Sequence, residues 1–144
     1  MIEIRSIQDG DMEFVRANAF ESAVKRYPEL TAPADSFTCL FEGEIVAIGG
    51  VADLWQGVGE AWLMMTEQAK KHGIYGLIAF NTIERKMNEL IVKHKHWRTE
   101  ANVRADFPEA IKFIEAVGFE REGVRRKYTP DKCDMILYSR ITDE

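Results

Sequence analysis

Val103-Arg104-Ala105-Asp106-Phe107-Pro108-Glu109-Ala110-Ile111-Lys112-Phe113-Ile114-Glu115-Ala116-Val117-Gly118-Phe119 reads as a strand, a capped helix, a glycine stop and a second strand. Thr99, Ala101, Val103 and Ala105 alternate with polar residues, the period of a half-buried strand. Asp106 can cap the helix that follows, Glu109 completes a D-x-x-E capping box, and Pro108 is tolerated in the first turn. Ala110, Ile111, Phe113, Ile114 and Val117 share one helical face, which predicts their burial. Gly118 suits the left-handed position just past a helix end. The unit is a β-α-β element.

Outward from this unit the chain alternates between the two periods. Ile74, Leu77, Ile78, Ile83, Met87, Leu90 and Ile91 recur at helical spacing and predict a long amphipathic helix over roughly 73–93. Lys93, His94, Lys95 and His96 gather at its C-terminal end, where cations complement the helix dipole. Read as helical residues, His94 and His96 do not face one another, because i,i+2 positions diverge. They therefore predict a basic, frayed helix end, not a metal pair. Residues 37–41 and 45–51 read as strands joined at Glu42-Gly43-Glu44, and Gln56-Gly57-Val58-Gly59 turns into a strand over 60–65. Ile2, Ile4 and Ile7 suggest a first strand, and Asp11 can cap a helix running toward Tyr27, where Pro28 stops it. Downstream, 119–128 and 133–141 are strand candidates joined by the turn Thr129-Pro130-Asp131-Lys132.

The 144 residues show no internal repeat, linker or low-complexity tract, which predicts a single domain over 1–144. No apolar run is long enough to span a bilayer and no secretory h-region follows Met1, so the expected location is the cytoplasm. A net charge of −5 argues against a general nucleic-acid binder. Cys39 and Cys133 lie in apolar runs and are expected to be free thiols, and no Cys/His spacing resembles a zinc site.

The 103–119 segment resembles the C-terminal segment of the GCN5-related N-acetyltransferases, the GNAT superfamily. There the pattern V-R-A-D-N-x-x-A-I-x-x-Y-x-x-x-G-F closes the fold beside the acyl-CoA site. This sequence keeps the frame, with Phe107 in place of the family's Asn and Ile114 in place of its Tyr. The order strand, helical pair, three antiparallel strands, long helix, strand, helix, two strands is also that of the family. The resemblance thus implies an α+β, GNAT-like fold, with a mixed, mostly antiparallel sheet flanked by helices. It implies acetyl-CoA as co-substrate and an amine-bearing small molecule or protein as acceptor. It also allows a homodimer, since the last strands mediate dimers in the resembling family.

The same resemblance nominates site residues. The family's pyrophosphate loop, [QR]-x-x-G-x-[GA], falls on Lys70-Lys71-His72-Gly73-Ile74-Tyr75-Gly76, with Tyr75 where a small residue is usual. Amides at a helix N-terminus point at phosphates, and Lys70, Lys71 and His72 can add charge. A plain solvated connection is the competing reading. Residues 61–65 occupy the strand that pairs with pantetheine, placing Met64 and Met65 beside the cofactor, with Asp106 and Phe107 at its other side. Amide formation needs an acid and a base. Ile114 cannot donate a proton, so Tyr128 is the candidate acid, and an amphipathic strand-end tyrosine is the alternative. Glu60 is the first candidate base and Asp53 the second, although Asp53 can instead bond its own turn. Trp55 and Trp62 can line an acceptor pocket or pack in the core.

A second resemblance points to another class. Ala47-Ile48-Gly49-Gly50 on a strand, with a tryptophan on the next, is similar to small GNAT-like bacteriophage proteins of virion assembly. An acyl-CoA-dependent N-acyltransferase is the leading expectation. A non-catalytic phage module for assembly or binding, working in the host cytoplasm, is the alternative.

Overall fold

Alternating residues make the strands, and turn residues that accept left-handed backbone angles connect them. The computed structural model describes residues 1–19, 33, 35–71 and 77–142, excepting the side chains of 70, 71 and 77–80. Strand β1 (Ile2–Ser6) pairs with β2 (Phe37–Phe41), which forms a hairpin with β3 (Glu44–Trp55). Glu42 and Gly43 close that hairpin at φ 49° and 80°, the doubly left-handed turn whose twist suits a two-residue loop. Strand β4 (Val58–Met65) folds back on β3 through Gln56-Gly57. Strands β5 (Arg98–Arg104), β6 (Glu120–Arg125) and β7 (Met135–Ile141) complete one seven-stranded sheet of order β1-β2-β3-β4-β5-β7-β6. Every pairing is antiparallel except β4 with β5.

Four helices complete the described elements: α1 (Asp11–Ala17), α2 (Glu67–Lys71), α3 (Leu77–Lys93) and α4 (Pro108–Ala116). Val46, Val51 and Ala61 from the sheet, Ile83, Leu90 and Ile91 from α3, and Ile114 from α4 join one buried apolar cluster. Each large aliphatic side chain so buried contributes about 1.5–3 kcal/mol relative to exposure. Ala110, Ile111, Phe113 and Val117 pack against that cluster as the periodicity predicts, and Gly118 takes φ 93° behind the helix. The fold is α+β and GNAT-like in its element order. No helix among the described residues is long and apolar enough to cross a membrane.

Several local expectations fail for identifiable reasons. Asp106 does not cap α4. The N-cap is Phe107, with Pro108 in the first turn and no side-chain cap bond, so the D-x-x-E spacing starts one residue too early. Arg104 takes the Asp106 carboxylate instead, through Nε and an Nη at 3.0 Å each. A charge-assisted, two-pronged bond outcompetes a cap. Asp11 likewise sits inside the first turn of α1 behind Gly10. Its buried carboxylate accepts from Arg5 at 2.7 Å, Thr38 Oγ1 at 2.6 Å and the Gln8 amide at 2.9 Å. The helix it opens ends at Ala17, and Ala19 bridges to Thr66; residues 20–27, the rest of the expected helix, lie outside the described residues. Strand β3 runs four residues past the expected end, β4 starts two residues early, and β6 stops at Arg125 because the chain turns through Lys127 at φ 50°. Strand β7 starts at Met135, two residues after the expected start at Cys133.

Candidate active site

Strands β4 and β5 run parallel but stay together only briefly. Residues 58–60 pair with 98–100, and beyond Glu60 no ladder joins the two strands. Over 61–65 strand β4 keeps its partners on β3, with Met64 opposite Ile48 and Met65 opposite Ala47. Strand β5 over 101–104 keeps its partners on β7. A wedge therefore opens in the middle of the sheet, and each wall presents a main-chain edge. It holds a cavity of about 670 Å³, inside the span of about 300–1,000 Å³ usual for small-molecule sites.

The wedge walls are mostly apolar, with Glu84, Arg104, Glu109 and Arg140 among the charged exceptions. Leu63, Met64 and Met65 come from β4, Ala101 and Val103 from β5, Ile83 and Met87 from α3, and Ala110, Phe113 and Ile114 from α4. Phe107 lines the cavity at the start of α4, while Asp106, exposed and paired with Arg104, does not. Glu60 stands at the apex, the last residue before the strands part, and is half-buried. Its carboxylate accepts a bond from Asn102 Nδ2 at 2.9 Å across the wedge, which orients it. Asn102 carried no signal in the sequence beyond its place on an alternating strand.

Tyr128 lies on the cavity rim in the β6–β7 connection, 56% exposed, with the Arg125 guanidinium 5.2 Å from its ring centre. Ile114 is buried against the cavity, so the family's tyrosine position is apolar in three dimensions as well. Tyr138 does not replace it. That ring is fully buried away from the cavity walls, and its hydroxyl donates to Glu115 at 2.7 Å. Burial and the neighbouring Glu115 carboxylate both raise its pKa.

Sequence reasoning missed the clamp beside the cavity mouth. Arg104, buried on the wall, donates to both oxygens of Asp131 at 3.0 and 2.9 Å as well as to Asp106. Thr129 Oγ1 adds a bond to Asp131 at 2.6 Å. The Arg104 bond, with Thr129 second, holds the Asp131 carboxyl far below the usual range. Two carboxylates on one guanidinium pin the β6–β7 turn, and with it Thr129 and Pro130, against the wedge.

Other nominated residues lie elsewhere. Lys70 and Lys71 belong to helix α2, their side chains undescribed, and His72, Gly73, Ile74, Tyr75 and Gly76 lie outside the described residues. Trp62 lines the cavity, but Trp55 does not and is 67% exposed at the end of β3. The Ala47-Ile48-Gly49-Gly50 run has a packing reason. A Cβ on Gly49 would come 2.8 Å from the Trp62 carbonyl oxygen, and one on Gly50 3.1 Å from Ser36. Cys39 is buried and Cys133 half-buried, and both are free thiols.

Asp53 is not at the cavity, which removes it as a base for chemistry there. Its carboxylate faces two histidines instead, His94 Nδ1 at 3.2 Å and His96 Nε2 at 2.5 Å. The i,i+2 argument fails because α3 ends at Lys93 and Lys95 turns the chain at φ 57°. That turn brings both imidazoles to one side, with ring centres 5.6 Å apart.

No protein-family model matches the sequence, and no curated protein is significantly similar to it. Solved structures do match over the whole chain. The yncA protein from Salmonella typhimurium, solved with its cofactor acetyl-CoA, superposes with a TM-score of 0.74 at 10% identity, covering 99% of this chain and 95% of that one. An acetyltransferase of the GNAT family from Streptococcus pneumoniae gives 0.69 at 13% identity, covering 99% and 100%. The ribosomal-protein alanine N-acetyltransferase from Escherichia coli gives 0.68 at 17% identity, covering 100% and 96%. Across that sequence distance, the parted β4 and β5 and the full-length superpositions make this the fold of the GNAT acetyltransferases.

Proposed function

We propose that this protein is an acyl-CoA-dependent N-acyltransferase, moving an acetyl group from acetyl-CoA to an amine-bearing small molecule or protein. The observation that carries the reading is the apolar wedge between β4 and β5 with a carboxylate at its apex. A β4 edge without a ladder partner among the described residues can accept an extended chain of amides as an added strand. Pantetheine is such a chain, so main-chain groups over 61–65, including Met64 and Met65, hold it in this reading. Phe107 packs beside it. Lys70, Lys71 and the 72–76 segment take the phosphates, a role that rests on the sequence pattern alone.

Glu60, oriented by Asn102, removes a proton from the acceptor ammonium. The neutral amine then attacks the thioester carbonyl, forming the C–N bond as the C–S bond breaks. The departing sulfur takes a proton from Tyr128 at the rim, and the second proton shed by the new amide nitrogen restores that tyrosine through solvent. Positioning supplies most of the remaining acceleration, because two reactants held together avoid the entropy of encounter. The solved acetyltransferases of the same fold support the class of reaction, and the acceptor amine is open to a screen.

Calorimetric titration with acetyl-CoA tests the reading. Saturable binding at one molecule per chain supports it, and a hundredfold excess over Kd would then stabilise the fold by about 2.7 kcal/mol. No heat and no melting shift at millimolar acetyl-CoA would overturn it. A non-catalytic assembly role of the GNAT-like phage kind would then lead.

A further inference from the structure

We propose that Asp53, His94 and His96 form a binding site for a divalent first-row transition-metal ion of the zinc class. One ligand atom from each residue lies within 4.8 Å of those of the other two. The site is at the closed end of β4, where β4 and β5 still pair, and none of the three residues lines the wedge cavity. It is therefore independent of the acyl-CoA reading.

The spacing suits an ion. Donors about 2.1 Å from a tetrahedral centre sit about 3.4 Å apart. His94 Nδ1 and the Asp53 carboxylate are already at 3.2 Å, and His96 Nε2 lies closer, at 2.5 Å from Asp53 Oδ1. Opening that last separation needs only a retreat of Asp53, whose side chain is 57% exposed. The His96 ring cannot retreat, because its side chain is fully buried and lies on Gly59, where a Cβ would fall 1.9 Å from the ring.

Asp35 is the second, independent observation. Its carboxylate lies 2.7 Å from His94 Nε2, on the far side of the ring from Asp53. A neutral imidazole has one N–H. With that proton given to Asp35, a neutral His94 turns its Nδ1 lone pair toward the Asp53 carboxylate, where either a second proton or a metal ion can join the two. A carboxylate behind a metal-bound histidine is also the usual outer partner of such ligands.

Two imidazole nitrogens and one carboxylate, without thiolate, favour zinc, nickel or copper over magnesium or calcium. On coordination through Nε2, His96 must hold its proton on Nδ1, which is buried with no partner among the described residues. That orphan donor weakens the site, and it points to micromolar affinity. The ion would tie the end of β3 to the segment linking α3 with β5.

The test is titration of untagged protein with Zn²⁺ by calorimetry and with Co²⁺ by visible absorption. Asp53→Asn, His94→Gln and, as a control for thiol binding, Cys133→Ser are titrated alongside, with circular dichroism to show that each is folded. The expected result is one ion per chain at micromolar affinity, weakened at least tenfold by Asp53→Asn and by His94→Gln and unchanged by Cys133→Ser. Bound Co²⁺ should also broaden the His94 and His96 ring resonances. No binding up to millimolar metal would show that a proton alone joins these groups and would overturn the proposal. An affinity indifferent to Asp53→Asn and His94→Gln, or lost with Cys133→Ser, would overturn it equally.

Discussion

Glu60 carries the sharpest residue-scale consequence, because it is half-buried, sits where β4 and β5 part, and is held by Asn102. Glu60→Gln keeps the size and the Asn102 contact but cannot accept a proton. The expected result is a loss of about a hundredfold or more in kcat/KM, within the range for a lost general base. Acetyl-CoA affinity should change little, so the loss should fall on kcat rather than on cofactor binding. An unchanged kcat/KM would remove Glu60 from the chemistry. Only the family resemblance nominated this residue, by its place at the start of a strand, and the sequence held nothing to reveal its Asn102 partner. Asp106 and Asp11 were misread for one shared reason. A carboxylate near a helix start satisfies capping patterns whether it caps or not, and only three dimensions show that Arg104 and Arg5 claim it. Asp53 was misplaced because its partners lie about forty residues away in the chain, a separation no local pattern reports.

At the scale of elements, the β3–β4 hairpin and the end of α3 are built around each other. The Trp97 and Arg98 amides both donate to the Gly57 carbonyl, at 2.8 and 3.1 Å, while His96 lies flat on Gly59. A methyl group at 59 has no room, so Gly59→Ala should destabilise the fold by about 1–3 kcal/mol, the usual cost of overpacking. Urea unfolding of the variant measures this, and a midpoint equal to that of the parent chain would show that His96 moves freely. Helices and strands with strong periods were legible, α4 and the β2–β3 hairpin above all. The end of α3 was not, because the residue that reverses the chain there is Lys95 rather than glycine. Lysine at a left-handed position gives no warning. The parting of β4 from β5 was equally silent, since pairing is a property of two strands and neither sequence records where it stops. The family pattern pointed to the strand, and the register located the wedge.

Across the whole molecule, charge and cavity make separate demands. Glu122 is pulled down to about 2 by its bond to Arg98, with Ser139 second. Asp131 and Asp106 are lowered by Arg104, and Asp11 is lowered because Arg5 and Thr38 outweigh its burial. Carboxyls with folded pKa values below their unfolded ones stabilise above the unfolded range, and that stability is lost as pH falls through it. The urea midpoint should therefore drop from about pH 5 downward. A Glu122→Gln, Asp131→Asn double variant should start lower at neutral pH and converge on the parent near the bottom of the titration. Parallel curves would show that these pairs do not couple to folding. The cavity demands the opposite of a well-packed core. An apolar void of about 670 Å³ that is partly open to solvent keeps its lining residues from packing against one another, and apolar surface left to water is a cost. Ala110 lines that void from α4 and is half-buried. Ala110→Trp should fill the void from one wall, leaving the melting temperature of the free protein unchanged or higher. If the wedge is the acyl-CoA site, the same change should weaken acetyl-CoA binding at least tenfold in the calorimeter. A variant that melts as expected yet binds acetyl-CoA with unaltered affinity would place the ligand somewhere other than between β4 and β5.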